Sequence, residues 1–190
     1  MATIAAVDAV LIWNRLNHAV FLAGAIIGTL ALIHLILNYS LGGAWPPLPL
    51  KEVAVGSLFA AGTLVALFSL RPVTGPFACA GVVFAGLCTL NCICIAFWER
   101  ELDENQGKVS FATRYPGLDR HLGRSSLALA LGSLVAAIAY PGAGPIFACV
   151  SVSALCLMSL DSRKIDRDQR TAMADLVLLT PLLALLVMNA

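Results

Sequence analysis

His34 is the residue of this chain whose type and position best suit cofactor chemistry. It lies inside the apolar run 19–41, four residues before Asn38. A neutral imidazole in such a place can act as the axial ligand of a haem or a chlorophyll. His18 lies sixteen residues earlier, about 24 Å away along a helix, so the two histidines cannot share a site. Two interpretations stay open: a haem- or chlorophyll-binding His34, and a neutral histidine that only forms a hydrogen bond.

The six cysteines favour packing over chemistry. All of them lie within apolar segments, no C-x-x-C spacing occurs, and Cys92 and Cys94 point to different faces of a helix. A metal site needs converging ligands that are held by their neighbours, which this spacing does not supply. We therefore interpret the cysteines as small buried apolar residues, and we expect neither a metal site nor a disulfide framework.

Sequence motifs of catalysis are absent from the chain. It has no phosphate-binding loop, no H-E-x-x-H motif, no nucleophile elbow and no pair of carboxylates within an apolar segment. Acidic residues surround Arg100 instead, at Glu99, Glu101, Asp103 and Glu104. This alternation predicts a solvated helix extension rather than a site, and the chain is predicted not to be an enzyme.

Six apolar blocks have to position these residues. They cover 19–41, 53–70, 73–98, 125–140, 145–160 and 174–188. The charged side chains lie outside the blocks, apart from Asp175 near the start of the last one. About 20 residues of helix cross the hydrocarbon layer of a bilayer. With 59% hydrophobic and only 12% charged residues, the chain is predicted to be an integral membrane protein.

The predicted fold is an all-α, polytopic transmembrane bundle of about six spans, forming a single domain over 1–190. Its core is predicted to be four spans in two similar hairpins, 53–98 and 125–160, flanked by an N-terminal and a C-terminal helix. The similarity rests on Gly56-Ser57-Leu58 against Gly132-Ser133-Leu134, and on a Gly-Pro pair between the helices of each hairpin. Residues 1–17 are predicted to form either an interfacial helix or a frayed N-terminal tail. No secretory signal is expected, since the first basic residue is Arg15.

Aromatic and basic residues predict where the chain meets the membrane surfaces. Trp13, Trp45 and Trp98 lie near block ends, as is typical of headgroup anchors, and Arg124 at the start of the fourth block fits the same role. Ten basic residues fall in the segments 42–52, 99–124 and 161–173, against only Arg15 and Arg71 on the other side. The positive-inside rule places those three segments in the cytosol or its organellar equivalent.

Small residues recur at four-residue spacing on several blocks. Gly24 and Gly28 form a G-x-x-x-G pair, and Ala128, Gly132 and Ala136 form a ladder in the fourth block. Gly56 with Ala60 repeats the spacing. Such residues let two helix backbones approach closely in lipid, and Asn91 could add an interhelical hydrogen bond. The pattern predicts helix packing, either within this bundle or against a partner subunit.

Leu122–Leu134, with Gly123, Arg124 and Gly132, resembles a motif of the COPI-associated family of small endomembrane proteins. In that family the motif opens the third of about four spans. Residues 53–98 resemble the first two spans and 125–160 the last two, while Ser125 and Ser126 depart from the family pattern. The resemblance implies a Golgi or vesicle membrane component without catalytic residues.

The sequence favours a non-catalytic integral membrane protein that acts through helix contacts, as an accessory or structural subunit of a larger membrane complex. Its expected partners are membrane lipids and other membrane subunits, and the net charge of +1 predicts no nucleic-acid binding. The alternatives are a small endomembrane trafficking factor, a haem- or chlorophyll-binding subunit, and a small transporter. The expected location is a multi-pass position in an endomembrane or an organellar inner membrane.

Overall fold

The computed structural model describes residues 17–41, 49–70, 73–162 and 165–180. The α-helices within them are α1 (His18–Leu41), α2 (Leu50–Leu70), α3 (Gly75–Trp98), α4 (Arg100–Asn105), α5 (Phe111–Arg114), α6 (Leu122–Ala139), α7 (Gly144–Ser162) and α8 (Arg167–Val177). Short 3₁₀ turns, Pro116–His121 and Pro141–Ala143, precede α6 and α7. The described residues contain no strand, so the predicted all-α class is confirmed.

Among the described residues, four segments are long and apolar enough to cross a membrane. They are His18–Ser40, Gly75–Trp98, Pro116–Ala139 and Pro141–Asp161, which correspond to α1, α3, α6 and α7 with their leading turns. Each contains 21 to 24 residues, and about 20 helical residues match the roughly 30 Å of hydrocarbon in a bilayer. The predicted bundle of membrane-length helices is therefore confirmed.

The apolar blocks 53–70 and 174–188 are not among these four segments, so the predicted total of about six spans stays a prediction. Helix α2 has 21 residues and begins with Lys51 and a buried Glu52, whose carboxylate is favoured at a helix N-terminus. The last block starts inside α8, an amphipathic helix of 11 residues with a charged first turn. Residues 181–190 and residues 1–16 of the predicted interfacial segment 1–17 lie outside the described residues, so those assignments stay predictions.

The described helices pack as two hairpins joined along α3 and α7. Helix α2 pairs with α3 and α6 pairs with α7, while α1 lies chiefly against α2 and α8 packs on α7 and α3. Both α3 and α7 begin at a Gly-Pro pair, where proline suits the first helical turn because its missing N–H needs no partner there. The shared start agrees with the predicted repeat, whereas Gly56 is buried and Gly132 is exposed. The duplication itself stays a prediction.

The centre of the core is an apolar contact between α3 and α7. Phe84 and Leu87 on α3 and Phe147, Val150 and Leu157 on α7 are completely buried. Serine hydroxyls add interhelical bonds that backbone carbonyls accept. Ser151 donates to Ala130 O at 2.9 Å, and Ser153 Oγ lies 3.2 Å from Val177 O. These contacts fix α6 and α8 against α7.

The connector between the hairpins is itself folded against the end of α3. Gly107, in the left-handed region at φ 66°, follows the end of α4, and a Ser110–Thr113 capping box starts α5. Phe111 then packs edge-on against Phe97 with ring centroids 6.2 Å apart. The connector is thus held at the end of α3, where the charged residues of the chain gather.

Gly56 marks the closest approach of two helices. A Cβ at Gly56 would overlap the backbone and hydroxyl of Thr89 on α3. By contrast, a Cβ at Gly62 on the same helix would meet no described atom within 4 Å. The two glycines therefore have different reasons to be small, and only Gly56 is required by the contact between α2 and α3.

Replacing Gly56 with alanine should destabilise the bundle by about 1–3 kcal/mol, since the backbone of Thr89 has to move. The same replacement at Gly62 should be neutral or stabilise by about 0.5–1 kcal/mol, because alanine favours the helix. Thermal unfolding of both variants in one detergent measures the difference. A Gly56→Ala variant that melts as high as Gly62→Ala would contradict the close contact.

Candidate functional site

Charged residues converge where α3 and α7 end and α6 and α8 begin. They line a cavity of about 570 Å³, here named the charged cavity. Its walls are Phe97, Trp98, Arg100, Glu101, Asp119, Leu122, Asp161, Asp166, Arg167, Asp168 and Arg170. The volume lies within the roughly 300–1,000 Å³ that is common for small-molecule sites. Three guanidinium groups and five carboxylates share this space with three apolar or aromatic side chains.

Trp98 connects three helix ends at the wall of the charged cavity. Its indole Nε1 donates a hydrogen bond to Asp161 Oδ1 at 3.0 Å, which joins the end of α3 to the end of α7. The guanidinium carbon of Arg170 on α8 lies 5.4 Å from the centre of the Trp98 ring. A cation at this distance is attracted by the negative face of the ring. Trp98 therefore holds α3, α7 and α8 together.

A second set of contacts fixes the start of α8. Thr171 Oγ1 donates to Glu99 Oε1 at 3.4 Å, and Arg170 Nη2 donates to Ile165 O at 3.3 Å. The predicted helix extension after Trp98 is present as α4, in which no residue is buried. However, Glu99 bonds α8 and Glu101 lines the charged cavity. Glu101 is nevertheless exposed, as the solvated interpretation expects, whereas Glu99 is partly buried.

The ion pairs at the charged cavity lie at its rim. Arg167 Nε is 3.5 Å from Asp168 Oδ1, and Arg100 Nε is 3.3 Å from Glu104 Oε1. The side chains of Arg167 and Asp168 are 44% and 84% exposed. Exposed pairs of this kind contribute little to stability, typically about 0–1 kcal/mol. Their charges remain available to a ligand.

Polar side chains are also buried on α3 and α6. Asn91 and Ser126 are each 1% exposed and Ser133 is 2% exposed. Asn91 Oδ1 and Ser133 Oγ accept no hydrogen bond from any described residue. The interhelical bond expected of Asn91 is therefore not seen at this oxygen.

The cysteines divide into three groups, of which Cys92 and Cys149 form the partly buried one. Cys88 and Cys94 are buried, in agreement with the packing interpretation, whereas Cys79 and Cys156 are exposed on the outer surfaces of α3 and α7. Among the described residues no three His, Cys, Asp or Glu side chains form a group that could hold a metal ion.

The small residues predicted to mediate packing lie mostly on open surfaces. A Cβ at Gly24, Gly28 or Gly132 would meet no atom of the described residues within 4 Å. Ala128 is exposed as well, and only Ala136 packs against the core. Their packing partners are thus not found in the described part of this chain. The close contact inside the bundle uses Gly56 instead, which has the same four-residue spacing to the buried Ala60.

The predicted cofactor ligand lies far from the charged residues in the sequence. His34 is partly buried on α1, which packs chiefly on α2. A cofactor bound at His34 would therefore contact α1 and would lie next to α2. Haem or chlorophyll binding through His34 stays a prediction.

The residues predicted to anchor the protein at the membrane surface differ in where they lie. Trp13 and Trp45 lie outside the described residues. Arg124 is exposed in the first turn of α6, and its role as a headgroup anchor stays a prediction. Trp98 ends a membrane-length helix as expected, but its N–H bonds Asp161 inside the protein.

No protein family, characterised protein or solved structure matches the chain. The resemblance of Leu122–Leu134 to the COPI-associated family therefore stays a prediction.

Sequence reasoning did not find the charged cavity because its residues come from four separate segments. Asp161 lies near the end of α7, and Asp166 and Arg170 follow that helix, far along the chain from Trp98 and Glu101. One signal was available, since the fold places both charged connectors at the same end of the bundle. This placement brings Trp98, at the end of one apolar block, close to Asp161, which follows another block.

The bond between Trp98 and Asp161 can be measured by a double-mutant cycle. Trp98→Phe keeps an aromatic ring for Arg170 but removes the N–H donor, and Asp161→Ala removes the acceptor. We expect a coupling free energy of about 0.5–3 kcal/mol between the two changes, because the residues are in contact. Unfolding of the wild type, both single variants and the double variant gives this value. Strictly additive effects would show that the bond is not formed.

Proposed function

We propose that this protein is a non-catalytic accessory subunit of a larger membrane protein complex and that α1 carries its contact with a partner. The observation that carries the proposal is the open G-x-x-x-G pair on α1. No residue in the membrane-length window of α1 is fully buried within the described protein, and a Cβ at Gly24 or Gly28 would meet no described atom within 4 Å.

Lipid alone gives α1 no reason to carry two glycines. Acyl chains are as apolar as leucine and cover any smooth helix surface. A glycine in a helix interior costs roughly 0.5–1 kcal/mol relative to alanine. Glycines four residues apart do have a use where a second helix approaches closely. The pair therefore supports a helix as the occupant of this surface.

The other apolar side chains of α1 are only partly covered by the rest of the chain. Leu22, Ile26, Leu30 and Ile33 are each about half exposed, and the helix packs chiefly on α2. The core of the bundle lies elsewhere, between α3 and α7. This division supports a stable core that presents α1 to another membrane protein.

The orientation and location follow the charge distribution. The charged cavity and the connectors that form it carry most of the basic residues, so we place this end at the cytosolic face or its organellar equivalent. We place the protein in an endomembrane or an organellar inner membrane. The transporter alternative is less well supported, because the charged cavity lies at the ends of the spans and not at their middle.

Replacing both Gly24 and Gly28 with leucine should separate the protein from its partner. The added side chains would hold the two helices apart at a cost of about 1–3 kcal/mol, and about 1.4 kcal/mol is a tenfold loss of affinity. Purification from native membranes in mild detergent, followed by mass spectrometry, measures how much partner is recovered.

Gly86→Leu is the matched control for this experiment. Gly86 is exposed on α3, and a Cβ there also meets no described atom within 4 Å. This variant should keep its partner. Recovery of the wild type as a lone monomer, or equal recovery of partner with both sets of variants, would refute the proposal.

A further inference from the structure

The charged cavity has the position of a membrane-surface site. Trp98, which lines it, ends a 24-residue apolar helix, and Asp161 ends another candidate span. Tryptophan at the end of a span is typical of the depth at which lipid headgroups lie. A ligand held here is therefore at the level of phosphate and amine groups, with the apolar side chains of Phe97 and Leu122 in the same wall.

The wall carries both signs of charge, with carboxylates in excess. Its guanidinium groups belong to Arg100, Arg167 and Arg170. The described residues give Glu101 and Asp166 no ion-pair partner, and Asp161 bonds only the neutral indole of Trp98. A simple anion would be repelled by the carboxylates, and a simple cation would be repelled by the guanidinium groups. A ligand that carries both charges matches this wall.

Two chemical preferences narrow the ligand further. Guanidinium groups bind phosphate through parallel N–H donors, which makes arginine a preferred phosphate ligand. Carboxylates accept hydrogen bonds, so they favour a primary ammonium with three N–H donors over a quaternary one that has none. Both preferences are met by a phosphate ester joined to a primary amine.

We propose that the charged cavity binds a phosphoethanolamine group, with its ammonium facing Asp161, Glu101 and Asp166 and its phosphate facing Arg167 and Arg100. The group can come from two sources with this shared chemistry: the headgroup of phosphatidylethanolamine, or free phosphoethanolamine. Free phosphoethanolamine would reach the cavity from water, whereas the lipid would come from the bilayer around the spans.

The test is binding by the full-length protein in nanodiscs and in detergent. Native mass spectrometry compares the occupancy of phosphatidylethanolamine with those of phosphatidylcholine and phosphatidylglycerol, which lack the primary ammonium. Calorimetry in detergent tests free phosphoethanolamine.

Asp161→Asn removes one carboxylate, and Arg167→Gln changes an exposed rim residue, so the second variant remains informative where the first fails to fold. Lys108→Gln is the matched control, since Lys108 is exposed in the connector after α3 but does not line the cavity.

We expect phosphatidylethanolamine to bind in preference to both other lipids and each cavity variant to weaken binding by about tenfold, as is typical for loss of one charge-assisted hydrogen bond. The control should bind within about twofold of the wild type. If free phosphoethanolamine binds with the same dependence on Asp161 and Arg167, and the lipid does not, the source is the soluble compound. Binding without preference for the primary ammonium, or binding that the cavity variants do not change, would overturn the proposal.

Discussion

The structure depends on keeping charge out of an apolar layer that is about one helix-length thick. A charge in the middle of a bilayer costs several kcal/mol, and every backbone amide there needs a partner within the protein. Long helices meet the second requirement, and the connectors receive the charges that the helices exclude. Because the two charged connectors fall at the same end of the bundle, residues from α3, α7 and α8 meet there and form the charged cavity. The cavity is thus a consequence of the same constraint that defines the spans.

Two kinds of surface result from this arrangement. Along α3 and α7, large side chains such as Phe84 and Phe147 are completely buried, and Gly56 lets α2 approach until its backbone lies against Thr89. Along α1, by contrast, the small residues Gly24 and Gly28 are left open. The bundle therefore uses a small residue for close packing at one place and presents an unused pair at another. This contrast is the basis for assigning α1 to a partner helix.

The fold class was predictable from the sequence because it depends on properties of single segments. The length and apolarity of residues 73–98 are enough to predict a membrane-length helix, and a Gly-Pro pair is enough to predict where α3 or α7 begins. Packing between helices was not predictable in this way. The pair Gly24 and Gly28 and the pair Gly56 and Ala60 have the same four-residue spacing in the sequence. Only the fold shows that the second pair is buried and that the first pair is exposed.

The contacts that form the candidate site were also not predictable from the sequence. The position of Trp98 at a block end is visible in the sequence, but its bond to Asp161 joins residues that are 63 positions apart. Asp161 and Arg170 carry no motif that marks them, since an acid or a base next to an apolar block is ordinary in membrane proteins. Their meeting depends on the relative orientation of two hairpins, which single-segment patterns do not encode.

Site-specific photocrosslinking in intact native membranes tests the assignment of α1 most directly. A photoreactive amino acid placed at position 24 or 28 should form a crosslink to a second polypeptide, while the same group at position 62 or 86 should react mainly with lipid. Crosslinking to lipid alone at all four positions would contradict the account, because the open pair on α1 would then have no helix partner.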